Sequence, residues 1–193
     1  IEKYLVMDEG TVTPAVTFSF SISAGEALSS DESDGTDDEA SLEVYSGGDA
    51  SKVTGVPVIG QAVFTANQEQ YSEALPSEND AIQNDDDGDG TVNNDGVVLG
   101  DGRVYSRSPV TVDFSGVTFN EPGVYRYVVT ELETALDANG QQMQGGIAFD
   151  DDLTRTLDVY VEDDGTGTLS VVGYVLHNSD GAALDYDGSN IDE

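Results

Sequence analysis

Two charged side chains sit at positions where the flanking pattern calls for apolar ones. The chain has two lysines, Lys3 and Lys52. Lys3 lies in the opening string IEKYLVM, where an extended strand puts Ile1, Lys3, Leu5 and Met7 on one face. Burial among such neighbours disfavours the ammonium and yields a nucleophilic amine. The plainer alternative is an edge lysine whose ammonium snorkels to water. Glu131 poses the same question for a carboxyl. In GVYRYVVTE, Tyr125, Tyr127, Val129 and Glu131 share one face, and Val124, Arg126, Val128 and Thr130 the other. A carboxyl that continues an aromatic stripe is expected to be desolvated and to keep its proton, so that it can donate it or polarise a carbonyl. Its plain alternative is a strand-end glutamate facing solvent.

A third candidate is a loop of oxygen ligands. Asp85 to Gly96 reads DDDGDGTVNNDG, with Asp85, Asp87 and Asp89 on alternate residues and a glycine, Gly90, next. Alternate carboxylates converge on a hard cation while the glycine permits the sharp turn, and Asn93 and Asp95 extend the ligand set. The string resembles calcium loops of dockerin type. It departs from them at the twelfth position, where Gly96 replaces the acidic ligand, and Val97 to Gly100 looks extended instead of helical. A flexible Asp/Gly linker is the alternative.

The composition narrows the chemistry. Among 193 residues, 39 are acidic and 6 basic, a formal net charge of −33. Such a surface repels phosphate backbones and anionic lipid, which excludes nucleic acid as a partner. No apolar run reaches the roughly 18–20 residues that span a bilayer. There is no cysteine, hence no disulfide or thiolate chemistry, and one histidine, His177. A Ser-His-Asp triad would need that single imidazole, and no G-x-S-x-G context is present. Most of the acids read as a solvated face, suited to solubility or to high salt. The chain begins at Ile1 and so reads as a processed or trimmed product.

The elements that must hold these residues are strands. Pro14 to Ala24 alternates Val16, Phe18, Phe20 and Ile22 with hydroxyl residues. Gln61 to Thr65, Pro109 to Phe119, Gly123 to Glu131, Leu153 to Val161 and Gly167 to His177 also read as extended, and Glu162 to Thr166 has the Asp-Gly chemistry of a hairpin turn. No long amphipathic helix appears. The expected fold is all-β: one antiparallel, immunoglobulin-like β-sandwich over residues 1–193, with acidic insertions near 25–52 and 76–102.

Several of these strings together resemble the streptococcal-type pilin isopeptide-linkage domains of Gram-positive pilins and surface adhesins. They are the opening IEKYLVMD and PAVTFSFSI, then VDFSGVTFNEPGVYRYVVTE, LDVYV and GTLSVVGYVLH. The most specific part is F-x-E-P-G-x-Y-x-Y-x-x-x-E, running from Phe119 to Glu131. The resemblance implies a self-formed amide between a first-strand lysine and a last-strand asparagine, promoted by a buried glutamate. By position Lys3 is that lysine and Glu131 that glutamate. The family's final F-x-N-x-Y string is absent, so either Asn190 serves or the partner lies beyond residue 193, and the turn-like sequence around Asn190 favours the second. Asn178, after His177, also looks like a turn residue. A chain without its last strand shows an open sheet edge that another molecule's strand can fill.

The resemblance therefore implies a structural stalk domain on the bacterial surface, extracellular, with a single-turnover self-cross-link in place of enzymatic activity. It requires no cofactor. Its partners would be other pilin subunits, joined by strand addition or by sortase linkage, for which Lys52 is a candidate although a solvated loop lysine is the plainer reading. The alternative function is a calcium-dependent surface module for glycan or host protein, with Tyr71 and Tyr105 as candidate aromatics near the Asp85 loop. A hydrolase with paired carboxylates is a third reading, unsupported by any further catalytic constellation. Calcium titration by calorimetry is expected to give a saturable heat from Asp85, Asp87, Asp89, Asn93 and Asp95, and a flat titration up to about millimolar calcium removes that site.

Overall fold

The computed structural model describes residues 1–28, 44–72, 102–150 and 152–177. Among them every regular element is a strand. In chain order these are β1 (Glu2–Asp8), β2 (Val16–Ala24), β3 (Val44–Ser46), β4 (Val53–Thr54), β5 (Val58–Ile59), β6 (Ala62–Phe64), β7 (Arg103–Pro109), β8 (Val112–Asp113), β9 (Thr118–Phe119), β10 (Gly123–Asp137), β11 (Thr154–Asp163) and β12 (Leu169–His177).

One layer is a sheet in the order β12-β11-β10-β2-β6, all antiparallel, with β3 parallel to the start of β10. The other is built from three two-stranded ladders, β1-β7, β4-β9 and β5-β8. Apolar alternation decides which face is inside. Tyr125, Tyr127 and Val129 of β10 pack with Leu157, Val159 and Val161 of β11. Phe119 of β9 meets Tyr125, and Phe114 meets Tyr127, with ring centroids 4.6 and 5.6 Å apart. A second cluster, Val16, Phe18, Ala62, Phe64, Val110 and Ala135, is capped by Met143, Ile147 and Phe149 from the β10–β11 connection. The fold class read from the sequence, an antiparallel sandwich, is the one observed.

The differences have local causes. β7 shows no apolar alternation because its inward positions include serines. Ser106 and Ser108 are buried and satisfied: the Ser106 hydroxyl lies 2.7 Å from Thr13 Oγ1, and Ser108 Oγ accepts from Val63 N–H and donates to Val63 O. β3 and the turn after it lie inside the span read as an acidic insertion near 25–52. The stretch from Pro109 to Phe119 is extended on both sides of the break at Ser115-Gly116. It divides into β8 and β9 at a turn in which Val117 N–H donates to Phe114 O.

The outward face of β10 is not solvated either. Arg126 donates from Nε and Nη2 to the two carboxylate oxygens of Asp158 at 2.8 and 2.6 Å, and both residues are buried. Glycines wall this pair in. Gly25 and Gly47 both donate their N–H to Arg126 O, and a Cβ on Gly25 would lie 2.6 Å from Arg126 Cγ. His177 Nε2 stands 3.2 Å from Asp158 Oδ2. Burial pushes the Asp158 carboxyl up, but the hydrogen bonds from Arg126, with the His177 imidazole close by, outweigh it and leave it below the usual carboxylate range. A carboxyl depressed on folding contributes stability above its unfolded value of about 3.9 and loses it as pH falls through the folded value. Asp158→Asn, which strands a buried guanidinium, is expected to cost about 3–5 kcal/mol at neutral pH. Its urea midpoint should then fall less steeply than that of the unaltered chain below about pH 4. A variant with unchanged stability at pH 7 would show the pair to be dispensable.

Candidate functional site

Lys3 and Glu131, 128 residues apart in sequence, meet across the two layers. The Lys3 ammonium donates to Glu131 Oε2 at 2.6 Å. The two side chains are 20% and 10% exposed, so the contact is largely closed to water. Lys3 Nζ also lies 5.2 Å from the centroid of the Phe18 ring. Glu131 is buried and Lys3 is half-buried at this contact.

Each partner is held by a chain of backbone constraints. β1 has β7 as its one ladder partner among the described residues, with Lys3 opposite Ser108. Ser108 bonds Val63 on both its N–H and its C=O, and Ser106 meets Thr13, so β7 is fastened to the first layer by hydroxyls. Glu131 faces Phe20 of β2, where the register slips between Glu131 and Ala135. This irregularity ends the regular ladder at Glu131, whose own N–H donates to Leu153 O at 2.8 Å.

One atom in the pair is unsatisfied. Glu131 Oε1 is buried and has no hydrogen-bond partner among the described residues. A buried acceptor left unpaired costs about 1–3 kcal/mol, so the position calls for a donor. Among the described residues the other edge of β1 has no ladder partner. Ile1 and Val110 exchange both backbone bonds, which makes Ile1, Lys3, Leu5 and Met7 the residues bonded to β7. Glu2, Tyr4 and Val6 then turn their N–H and C=O to that other edge, as does Asp8, whose C=O accepts from Thr11 N–H.

The other sequence candidates fall in different places. Asn190 and Asn178 lie outside the described residues, as do Asp85, Asp87, Asp89, Asn93 and Asp95. Among the described residues no group of three or more His, Cys, Asp or Glu side chains is placed to hold a metal ion. Lys52 is not simply solvated: its ammonium pairs with Glu121 and lies 4.6 Å from the Tyr45 ring centroid. Tyr105 is buried, with its ring against both Tyr4 and Tyr71 at 5.5 Å, so these tyrosines pack on one another. Residues the sequence reading missed are Ser106 and Ser108, which no apolar pattern marks, and Leu153, which acts through its carbonyl.

Searches of curated proteins and of solved structures return no match to this chain. A family model described as "FctA: Spy0128-like isopeptide containing domain" matches residues 1–184. That span includes β1, the F-x-E-P-G-x-Y-x-Y-x-x-x-E string and β12, the elements that carry and frame the Lys3–Glu131 contact. The chain belongs to the Spy0128-like isopeptide-containing family of streptococcal-type pilin domains, a family of structural modules.

Proposed function

We propose that this domain is a load-bearing stalk unit of a bacterial surface pilus or adhesin, which locks itself with one amide between Lys3 and an asparagine of a strand added to β1. The observation that carries this reading is the 2.6 Å contact between Lys3 and Glu131 in an apolar setting, with Glu131 Oε1 left without a partner among the described residues. Proton transfer along that hydrogen bond turns ammonium and carboxylate into amine and acid without changing the net charge. The amine attacks the asparagine carboxamide carbon while the Glu131 carboxyl polarises the carbonyl oxygen. Glu131 then takes a proton from the attacking nitrogen and delivers one to the leaving nitrogen. The Nζ–Cγ bond forms, the Cγ–Nδ2 bond breaks, and ammonia departs. Holding the groups together in a dry site replaces a bimolecular step with an intramolecular one.

The asparagine is Asn190 or one beyond residue 193, and the open edge of β1 is where its strand would pair. Glu131 Oε1 is the acceptor its carboxamide N–H would meet. Other pilus subunits are the partners, through strand addition or through a sortase-made bond, for which Lys52 supplies an amine with a side chain 29% exposed. The setting is the bacterial cell surface.

Intact mass tests the chemistry. A chain that includes its partner asparagine is expected to be about 17 Da light, from loss of one ammonia. Lys3→Ala and Glu131→Ala should both restore the full mass. Loss of the cross-link should lower stability by about 5 kcal/mol, the loop-closure entropy of a span of this order. A 17 Da deficit that survives in Lys3→Ala, or a full mass in a chain carrying every downstream strand, overturns the proposal. A full mass in the 1–193 chain alone eliminates Asn190.

A further inference from the structure

β12 is an edge strand of unusual composition for this protein. Among the described residues its one ladder partner is β11, and its sequence, LSVVGYVLH, carries no acid, no lysine and no proline. Edge strands normally carry charges or proline, or are cut short, to prevent pairing with another chain. The opposite edge, β6, is three residues long, and β1 bears Glu2, Lys3 and Asp8. β12 is nine residues long with Val171, Val172, Tyr174 and Val175 all exposed. Tyr174 stands opposite Val159 in the ladder. Val159 is fully buried and Tyr174 is 65% exposed, so the second layer stops short of this strand among the described residues.

The charge map selects the occupant. All six basic side chains are already paired within the chain: Lys3 with Glu131, Lys52 with Glu121, Arg103 with Asp8, Arg107 with Glu2, Arg126 with Asp158, and Arg155 with Asp150 and Asp152. A second copy brings a further net charge of −33 and no cation that is not already committed. Beside the edge, Glu162 and Asp163 at the end of β11 and Asp164 of the following turn are exposed.

We propose that the free edge of β12 is a docking site for an extended, cationic segment of a different protein, added as a further strand. Register sets its pattern. Residues over Val171 and Tyr174 continue the apolar interior, and those on the other face meet water and acids. The segment therefore alternates apolar and basic residues. The inference is independent of the Lys3 cross-link.

The probe is a blocked nonapeptide of alternating valine and lysine, added to the full 1–193 chain. Calorimetry should show saturable binding that weakens as salt rises, and amide exchange should slow along β12. Val172→Lys combined with Tyr174→Lys, both at exposed positions, should weaken binding at least roughly tenfold by repulsion at the edge. Unchanged exchange in β10 of that variant shows that it folds. Four outcomes overturn the proposal: β12 amides as protected in the free chain as those of β10, equal binding of the glutamate counterpart peptide, protection along β1 instead of β12, or self-association of the chain through β12.

Discussion

Everything in this fold turns on the desolvation of one amine and one carboxyl. Two charges brought out of water lose hydration that a single 2.6 Å contact does not fully return. The cost is bearable here because the contact is not completely dry, with Lys3 one-fifth exposed, and because rigid packing surrounds it. It also explains why the site is assembled from both layers. β2 supplies the Phe18 ring, β10 the carboxyl at its ladder irregularity, and β1 the amine. None of these strands could hold the pair alone. The hydroxyls of Ser106 and Ser108 matter for the same reason: they set the height of β7, and with it β1, over the first layer.

The acid surplus has structure of its own. Asp49, Asp113, Asp137 and Asp164 each accept backbone N–H groups two to four residues ahead. For Asp49 and Asp164 the side-chain hydrogen bonds from Ser51 and Thr166 do most to hold the carboxyl below its usual range, whereas for Asp113 and Asp137 the backbone bonds do. An aspartate that closes its own turn supplies local order where no disulfide can. Each of the six cations pairs with an acid of the same chain. In such a charge field β12 stands apart, since it contains no acid and no lysine and exposes Val171, Val172, Tyr174 and Val175.

What the sequence disclosed follows the physics of side-chain burial. β2, β10, β11, β12 and the Asp-Gly hairpin were legible because apolar alternation over five or more residues is the pattern that a strand with one buried face imposes. Lys3 and Glu131 were legible because each breaks such a stripe. β3, β4 and β5 span two or three residues, too few to show a period, whereas β8 and β9 flank the Ser115-Gly116 break of a stretch that reads as extended. β7 was hidden because its buried positions are serines, whose partners come from strands far away in sequence. The Arg126–Asp158 pair was invisible for a related reason. The alternation placed Arg126 on the face opposite the aromatic stripe, but nothing local indicated that this face is covered. Lys52 read as a solvated loop residue because Glu121 lies 69 positions downstream.

The position of Lys3 in the chain bears on how tension would travel through such a stalk. Within β1 only Glu2 precedes it, so nearly the whole β1-β7 ladder, from Lys3–Ser108 to Asp8–Arg103, lies on the C-terminal side of the amine. A pull on the N-terminus of an unlinked domain would load the Glu2–Pro109 end of that ladder first, and antiparallel pairs opened from one end break a bond at a time. The proposed amide at Lys3 would move the load off the ladder at its first rungs and pass it to the strand alongside. The hydrogen bonds beyond Lys3 would then serve to keep the site aligned, and mechanical strength would become a covalent property. A domain without cysteine would gain from that division of labour, because weak interactions would position the reacting groups and one strong bond would carry the force.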